Sequence, residues 1–312
     1  MASRAAIAEP ELDAPAAQAG EVALSLVIPA RNEEAAIERV LGEFKTALAA
    51  LGVCSEIIVV DDASTDQTAA RATLVAGVRV IKNPRNLGYG HSLLRGMEVA
   101  RGRYFAIADA DGTYPPASLA TLWKLINDGA DHAIGRRTGD NLTEHFGMRM
   151  IYRWLCNYVA GEDVPDANSG LRIMDRRIVE ELRGDLCRGF SFTTSLTLAS
   201  LLSGWVVAFA PIPYSKRVGK SHVRRLRDAL RTAQYLVQIV AVYNPLKLYL
   251  PLIGFAVALG FAGFLYGAIK PSPWGTMTAV LMAAVVLILI GLSGVAYISA
   301  RSGARRRGPG RV

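Results

Sequence analysis

Cysteine is scarce in this chain of 312 residues: Cys54, Cys156 and Cys187 lie far apart and form no Cys-x-x-Cys pair. That excludes a disulfide framework and a cysteine zinc site, and it fits a reducing, cytosolic setting. His91, His132 and His145 have no ligand-like spacing and read as structural or surface residues. Neither Gly-x-Gly-x-x-Gly nor Gly-x-x-x-x-Gly-Lys-[Ser/Thr] occurs, so no dinucleotide fingerprint and no ATP phosphate loop is indicated. Residues 1–21 lack an apolar core and a basic leader; rich in Ala, Pro and Glu, they read as a disordered extension rather than a signal peptide. The net charge is +8, but the basic residues gather beside apolar runs and are not interleaved with aromatics, which argues against a nucleic-acid partner.

What is present is an alternation. The apolar run Val22 to Ile28 reads as a strand closed by Pro29, and a helix follows from about residue 34 to 51, with Ile37, Leu41, Phe44 and Leu48 on one face. Glu56 to Val60 is a second strand ending in Asp61-Asp62, and Thr65 or Asp66 can cap a helix after it. Val78 to Ile81 is a third, followed by Asn86-Leu87-Gly88-Tyr89-Gly90 and a helix over about 91 to 101. Tyr104 to Ala108 is the fourth. Such spacing predicts βαβ units and a mostly parallel α/β sheet, with acidic residues gathered on one edge.

The densest of these endings is Asp109-Ala110-Asp111-Gly112. Two carboxylates at the carboxyl end of a strand, with no Lys or Arg beside them, suit a hard divalent cation shared with a substrate's phosphates. Asp-x-Asp is also an ordinary turn pattern. Asp61 and Asp62 can accept hydrogen bonds from ribose hydroxyls or a base N–H.

Four segments together carry a family resemblance: Ser25-Leu26-Val27-Ile28-Pro29-x-x-Asn32-Glu33, Val59-Val60-Asp61-Asp62-x-Ser64-x-Asp66, Asn86-x-Gly88, and Asp109-Ala110-Asp111-Gly112-x-Tyr114-Pro115-Pro116. They resemble the family 2 glycosyltransferases, and among these the polyprenyl-phosphate glycosyltransferases of the dolichol-phosphate mannose synthase type. The resemblance covers about residues 25 to 225. It implies a Rossmann-like GT-A domain over residues 22–222, a GDP- or UDP-sugar donor and a bound Mg²⁺ or Mn²⁺. It further implies that Pro29, Arg31 and Glu33 line the nucleotide pocket, although the family often has an aromatic residue where Arg31 stands. Asp61, with Asp62, would bind the nucleoside; Ala110 would lie beside the ribose; Asp109 and Asp111 would hold metal and diphosphate. Arg136 and Arg137 match a phosphate-facing segment, and Arg137 aligns better. Arg149 and Arg153, one helical turn apart, match a helix at the acceptor phosphate, although that spacing also describes a solvated helix face. Asn168-Ser169-Gly170-Leu171-Arg172 matches a turn under the sugar, and Arg31 and Arg172 are pocket residues on which sugar and base choice would depend.

A hydroxyl acceptor needs a general base, whereas a lipid phosphate is largely deprotonated at neutral pH, its second pKa lying near ~6. Residues 189–196 contain no acid, although many polyprenyl-phosphate enzymes carry a Glu there. The Gln-x-x-Arg-Trp signature of processive synthases is missing as well, since Arg153-Trp154 lacks the Gln. Both gaps favour single transfer to an undecaprenyl- or dolichyl-type phosphate. The alternatives are a lipid or glycan hydroxyl acceptor with Asp166 as base, and an idle scaffold that binds sugar nucleotides. Lys216, Arg217, Lys220 and His222 resemble a basic loop that closes over the phosphates, with His222 where Lys is usual; anionic lipid alone also attracts such a segment.

Over residues 223–244, Val223, Leu226, Leu230, Ala233, Val237 and Val240 share one face of an amphipathic, basic interfacial helix. Leu248 to Ile269 and Met277 to Ala300 run without a charge, each long enough to cross a bilayer, within a two-helix hairpin over 245–300 that turns at 270–276. Gly263-x-x-x-Gly267 is a helix-pairing spacing, though chance supplies it readily in a span rich in Gly and Ala. The basic tail 301–312 and the basic segment before the first span place both termini and the catalytic domain on the cytoplasmic side. Expected partners are the nucleotide sugar, polyprenyl phosphate and membrane lipids; a homo-oligomer is left open.

Overall fold

The computed structural model describes residues 21–139, 146–189, 191–215, 234, 237–270 and 273–305. In chain order the first domain consists of β1 (Leu24–Ala30), α1 (Ile37–Ala50), β2 (Ser55–Asp61), α2 (Thr68–Leu74), β3 (Val78–Lys82), α3 (Tyr89–Val99), β4 (Tyr104–Ile107), α4 (Ser118–Asn127), β5 (His132–Thr138), α5 (Phe146–Ala160), β6 (Arg172–Asp175), α6 (Arg176–Leu182), α7 (Phe192–Leu202) and β7 (Val207–Pro213). The seven strands form one sheet in the order β3-β2-β1-β4-β6-β5-β7. All neighbours are parallel except β6, which runs against both β4 and β5.

The continuous apolar runs of β1 and β2 follow from burial on both faces. Leu24, Leu26 and Ile28 join Ile37, Leu41 and Phe44 of α1 and Leu122 of α4 in one cluster. Val27, Ile58 and Val60 face the other way, onto Leu93 and Met97 of α3 and Phe192 and Leu196 of α7. The result is a mostly parallel, GT-A-like three-layer domain. His132 is a core residue, fully buried with Nδ1 3.1 Å from Ser200 Oγ.

Two apolar helices follow, α8 (Pro245–Ile269) and α9 (Pro273–Arg305). Their membrane-spanning windows have mean hydropathies of 2.1 and 2.7 and are only 11% and 6% buried within the chain, long and apolar enough to cross a bilayer. α9 starts four residues before the expected Met277, because proline suits the first turn of a helix. Gly263 and Gly267 do face the partner helix: a Cβ at Gly275 would stand 2.7 Å from the Gly267 backbone and 2.8 Å from the Gly263 carbonyl. Small residues thus let the two backbones touch.

Most of the amphipathic helix expected over 223–244 lies outside the described residues. Its described part, 237–243, is helical, with Ile239 and Val240 buried against Cys156 and Val159. The expected N-terminal extension, apart from Glu21, also lies outside the described residues, as do tail residues 306–312.

Candidate active site

Parallel pairing sets the carboxyl ends of β1 and β2 level, with Ala30 opposite Asp61, while β4 ends at Ile107 opposite Val27, three residues short, and hands on to the loop that carries Asp109 and Asp111. From β1 the chain adds strands first to one side and later to the other, so a crevice opens above the β1–β4 boundary, the switch point where open α/β sheets bind ligands. Pro29, Arg31, Glu33, Asp61, Ala110 and the acidic pair all lie along this edge.

The loops after β1 and β2 are laced together. The Asn32 amide donates to Ser64 Oγ (3.0 Å), the Thr65 amide to Asn32 Oδ1 (2.9 Å) and the Glu33 amide to Thr68 Oγ1 (2.8 Å). Asn32 and Ala63 sit at φ +53° and +56°, which only a well-braced loop sustains in residues with a Cβ. Asp61 accepts the Ser64 amide at 3.3 Å, and Arg31 Nε is buried with no hydrogen-bond partner among the described residues. Such an orphan donor at a crevice is a place for a ligand acceptor.

Asp62 departs from the expected nucleoside role. Its carboxylate accepts the amides of Leu87 (2.8 Å) and Gly88 (2.9 Å) and Asn83 Nδ2 (2.8 Å), so it is engaged in holding the 83–88 loop.

At the end of β4, Asp111 Oδ1 accepts the amide (3.1 Å) and the hydroxyl (2.7 Å) of Thr113, which fixes its rotamer. Asp109 Oδ1 accepts the hydroxyl of Tyr89 at 3.0 Å. The Ser169-Gly170 turn closes over Asp109: the Gly170 amide donates to Tyr114 Oη at 2.7 Å, and a Cβ at Gly170 would lie 2.7 Å from Asp109 Oδ2. Among the described residues no cluster of three or more acids, histidines or cysteines could hold a metal ion. Two carboxylates, one of them crowded only by a glycine, nevertheless fit a hard cation that takes its remaining ligands from a diphosphate and water.

On the β5–β6 side, a cavity of about 480 Å³ brings together Arg137, Arg149, Tyr152, Arg153, Asp166 and Asn168. Arg137 forms a two-pronged pair with Asp166, its Nε to Oδ2 and Nη2 to Oδ1 both 2.8 Å, and its guanidinium lies 5.4 Å from the Tyr214 ring centre. Burial pushes the Asp166 carboxyl up, but the hydrogen bonds and charge of Arg137 outweigh it and hold the pKa below the ordinary value. A carboxylate held so firmly is poorly suited to take a proton from a hydroxyl, the role expected of Asp166 in the alternative reading. Arg153 pairs with exposed Asp163 at 2.8 Å, and Arg136 is exposed on the opposite face of β5 from Arg137.

Arg172 is not a pocket residue. It is fully buried, donating to the carbonyls of Ser169 (3.1 Å from Nε) and Thr193 (3.1 Å) and to Thr197 Oγ1 (3.0 Å), and burial pushes its pKa down to about 10. It supports the Ser169-Gly170 turn from below. Ser169 Oγ itself is buried and, among the described residues, has no partner. Lys216, Arg217, Lys220 and His222 lie outside the described residues; the chain reaches them from Ser215, whose amide donates to the Thr113 carbonyl at 3.0 Å.

One face of α5 is unusually apolar for a surface: Met150, Ile151 and Trp154 are 59%, 60% and 63% exposed. Tyr158, stacked on Trp154, donates its hydroxyl to the Lys247 carbonyl in the first turn of α8 at 2.6 Å.

A switch-point crevice ending in paired carboxylates, on a mixed sheet of this order, defines a GT-A-like glycosyltransferase domain. The comparisons agree: the chain belongs to glycosyl transferase family 2, whose profile matches residues 25–183. It is 30% identical over 223 residues to the low-salt glycan biosynthesis hexosyltransferase Agl6 of Haloferax volcanii, a match spanning 69% of this chain and 53%, about half, of that relative. Over 226 residues it is 27% identical to the polyprenol monophosphomannose synthase of Mycolicibacterium smegmatis, covering 66% of this chain and 83% of that one. Glucosyl-3-phosphoglycerate synthase of Mycobacterium tuberculosis, solved with Mn²⁺, UDP and phosphoglyceric acid, shares the fold: TM-score 0.54, 23% identity, 72% of this chain and 77% of that chain.

Proposed function

We propose that this chain is a membrane-bound, inverting glycosyltransferase that moves a hexose from GDP or UDP to a polyprenyl phosphate. The observation that carries the reading is the cavity lined by Arg137, Arg149 and Arg153, whose lining carboxylate, Asp166, is already paired with Arg137. Such a cavity receives an anion better than it activates a hydroxyl. The name of the mycobacterial relative points the same way.

An oxygen of the lipid phosphate attacks the anomeric carbon on the face opposite the nucleoside diphosphate; the bond from that carbon to the diphosphate oxygen breaks, and its electron pair leaves on the diphosphate. No proton needs to be removed from the attacking group. Asp109 and Asp111 would hold Mg²⁺ or Mn²⁺, which would supply positive charge to the departing diphosphate. Asp61 takes the nucleoside in a pocket shaped by Pro29, Arg31 and Glu33, with Ala110 against the ribose. Arg149 and Arg153 receive the acceptor phosphate, Arg137 and Ser169 line the space between the two phosphates, and Lys216, Arg217, Lys220 and His222 cover it. Arg136, on the far face of β5, contributes long-range charge. Arginine suits this task because its fork matches phosphate oxygens.

The α5 face and the two apolar helices seat the domain on the cytoplasmic side of a bilayer, with Arg149 and Arg153 at head-group depth. The deciding experiment is a radiolabelled transfer assay with purified enzyme, Mg²⁺ or Mn²⁺, a panel of UDP- and GDP-sugars and polyprenyl phosphate. A chloroform-soluble, acid-labile product that vanishes in Asp111→Ala is expected; no lipid product with any donor would overturn the reading.

A further inference from the structure

We propose that Tyr89 is the positioning residue of the acidic pair: its hydroxyl, 3.0 Å from Asp109 Oδ1, holds that carboxylate in the orientation in which it meets the donor diphosphate and its metal. The inference rests on the function proposed above and adds to it a residue that acts through Asp109.

Three observations make the contact a built one. Tyr89 opens α3, and the residue before it, Gly88, has φ +98°, a conformation that favours glycine and aims the phenol back toward β4. The approach to that turn is clamped: Asp62 takes the Leu87 and Gly88 amides and Asn83 Nδ2, and Asn83 Oδ1 in turn accepts Arg95 Nη1 at 2.6 Å. Behind the phenol, the first turn of α3 is pinned to the 187–189 segment, with the Gly90 amide on the Gly189 carbonyl (3.2 Å) and the His91 amide on the Arg188 carbonyl (2.9 Å). A Cβ at Gly90 would meet the Cys187 carbonyl at 2.5 Å, so this packing has no slack.

The chemistry of the donor matters too. A lysine at this distance would bring a positive charge of its own to Asp109, whereas a phenol orients the carboxylate through a hydrogen bond without adding one. On the other side of Asp109, Gly170 leaves the space near Oδ2 that a side chain would fill. Residues that orient metal-binding carboxylates in this way commonly change metal affinity ~10- to 100-fold when lost.

The experiment is Mn²⁺ binding to the full chain in detergent, read from free Mn²⁺ by electron paramagnetic resonance, with UDP and with GDP present. Tyr89→Phe should weaken Mn²⁺ binding about 10-fold or more, while its thermal midpoint without Mn²⁺ stays at the wild-type value. Asp62→Asn, which loosens the clamp without touching Asp109, should give a smaller loss in the same direction and decides the matter should Tyr89→Phe not fold. Wild-type affinity in a folded Tyr89→Phe overturns the inference and leaves the proposed function standing. A wild-type chain that binds no Mn²⁺ with either nucleotide overturns both.

Discussion

Arg137 and Asp166 meet side-on, two parallel 2.8 Å bonds joining strand β5 to the loop that enters β6, and the Arg137 backbone amide adds a third bond to Asp166 Oδ2 at 3.1 Å. The pair braces the wall of the cavity lined by Arg149 and Arg153. Asp166→Asn leaves a buried guanidinium without its counter-charge and should cost about 3–5 kcal/mol, read as a lower thermal midpoint. The pH dependence has a definite sign. The folded pKa of Asp166 is depressed, so its stabilisation is complete above the unfolded value of ~3.9 and is lost as the pH falls through the folded value beneath it. The gap in midpoint between wild type and Asp166→Asn should therefore stay constant from neutral to about pH 5 and close on further acidification.

Gly170→Ala should leave the fold intact and damage the chemistry. Its new methyl would press on Asp109 Oδ2 and on Tyr114 Cε2, 2.7 and 3.0 Å away. The carboxylate must turn aside, and a displacement of that size costs on the order of 100-fold in kcat. Steady-state kinetics beside an unchanged circular dichroism spectrum would check it.

Ala63 stands at φ +56° in the loop that carries Asp61. A left-handed conformation is unfavourable for a residue with a Cβ, so Ala63→Gly should raise stability by about 1 kcal/mol. A midpoint that falls instead would show that the methyl group makes contacts worth more than the strain.

Trp154 should sit among lipid head groups. In vesicles containing lipids brominated near the head group, the fluorescence of the full chain should be quenched, and Trp154→Phe should remove a distinct part of the quenched component, the rest belonging to exposed Trp274 at the start of α9. An unquenched Trp154 would detach α5 from the bilayer surface.

Much of the donor half was legible because its chemistry is local in sequence. Three strands announce themselves as apolar runs, and each ends in the residues that form the crevice, from Arg31 and Glu33 through Asp61 to Asp109 and Asp111. The proposed acceptor half was legible only by family resemblance, because Arg137, Arg149 and Asp166 meet through the packing of β5, α5 and the loop into β6 rather than through spacing. Asp62 and Arg172 show the limit most clearly. Both carry charge beside the site, yet one is spent on backbone amides and the other on backbone carbonyls, which no pattern of residue types distinguishes from ligand binding. Tyr89 was passed over for the opposite reason, since an aromatic residue between two glycines gives no sign of the carboxylate it will reach.

The reversal of β6 has a consequence for how such enzymes diversify. Because that strand alone runs backward, residues 166–171 enter the sheet at the edge where the loops after β4 and β5 leave it. On the proposed function, nucleotide recognition draws almost wholly on the first third of the chain, and acceptor recognition on its middle. On that reading, changing the loops around β5 and β6 would alter what receives the sugar without touching the loops after β1, β2 and β4.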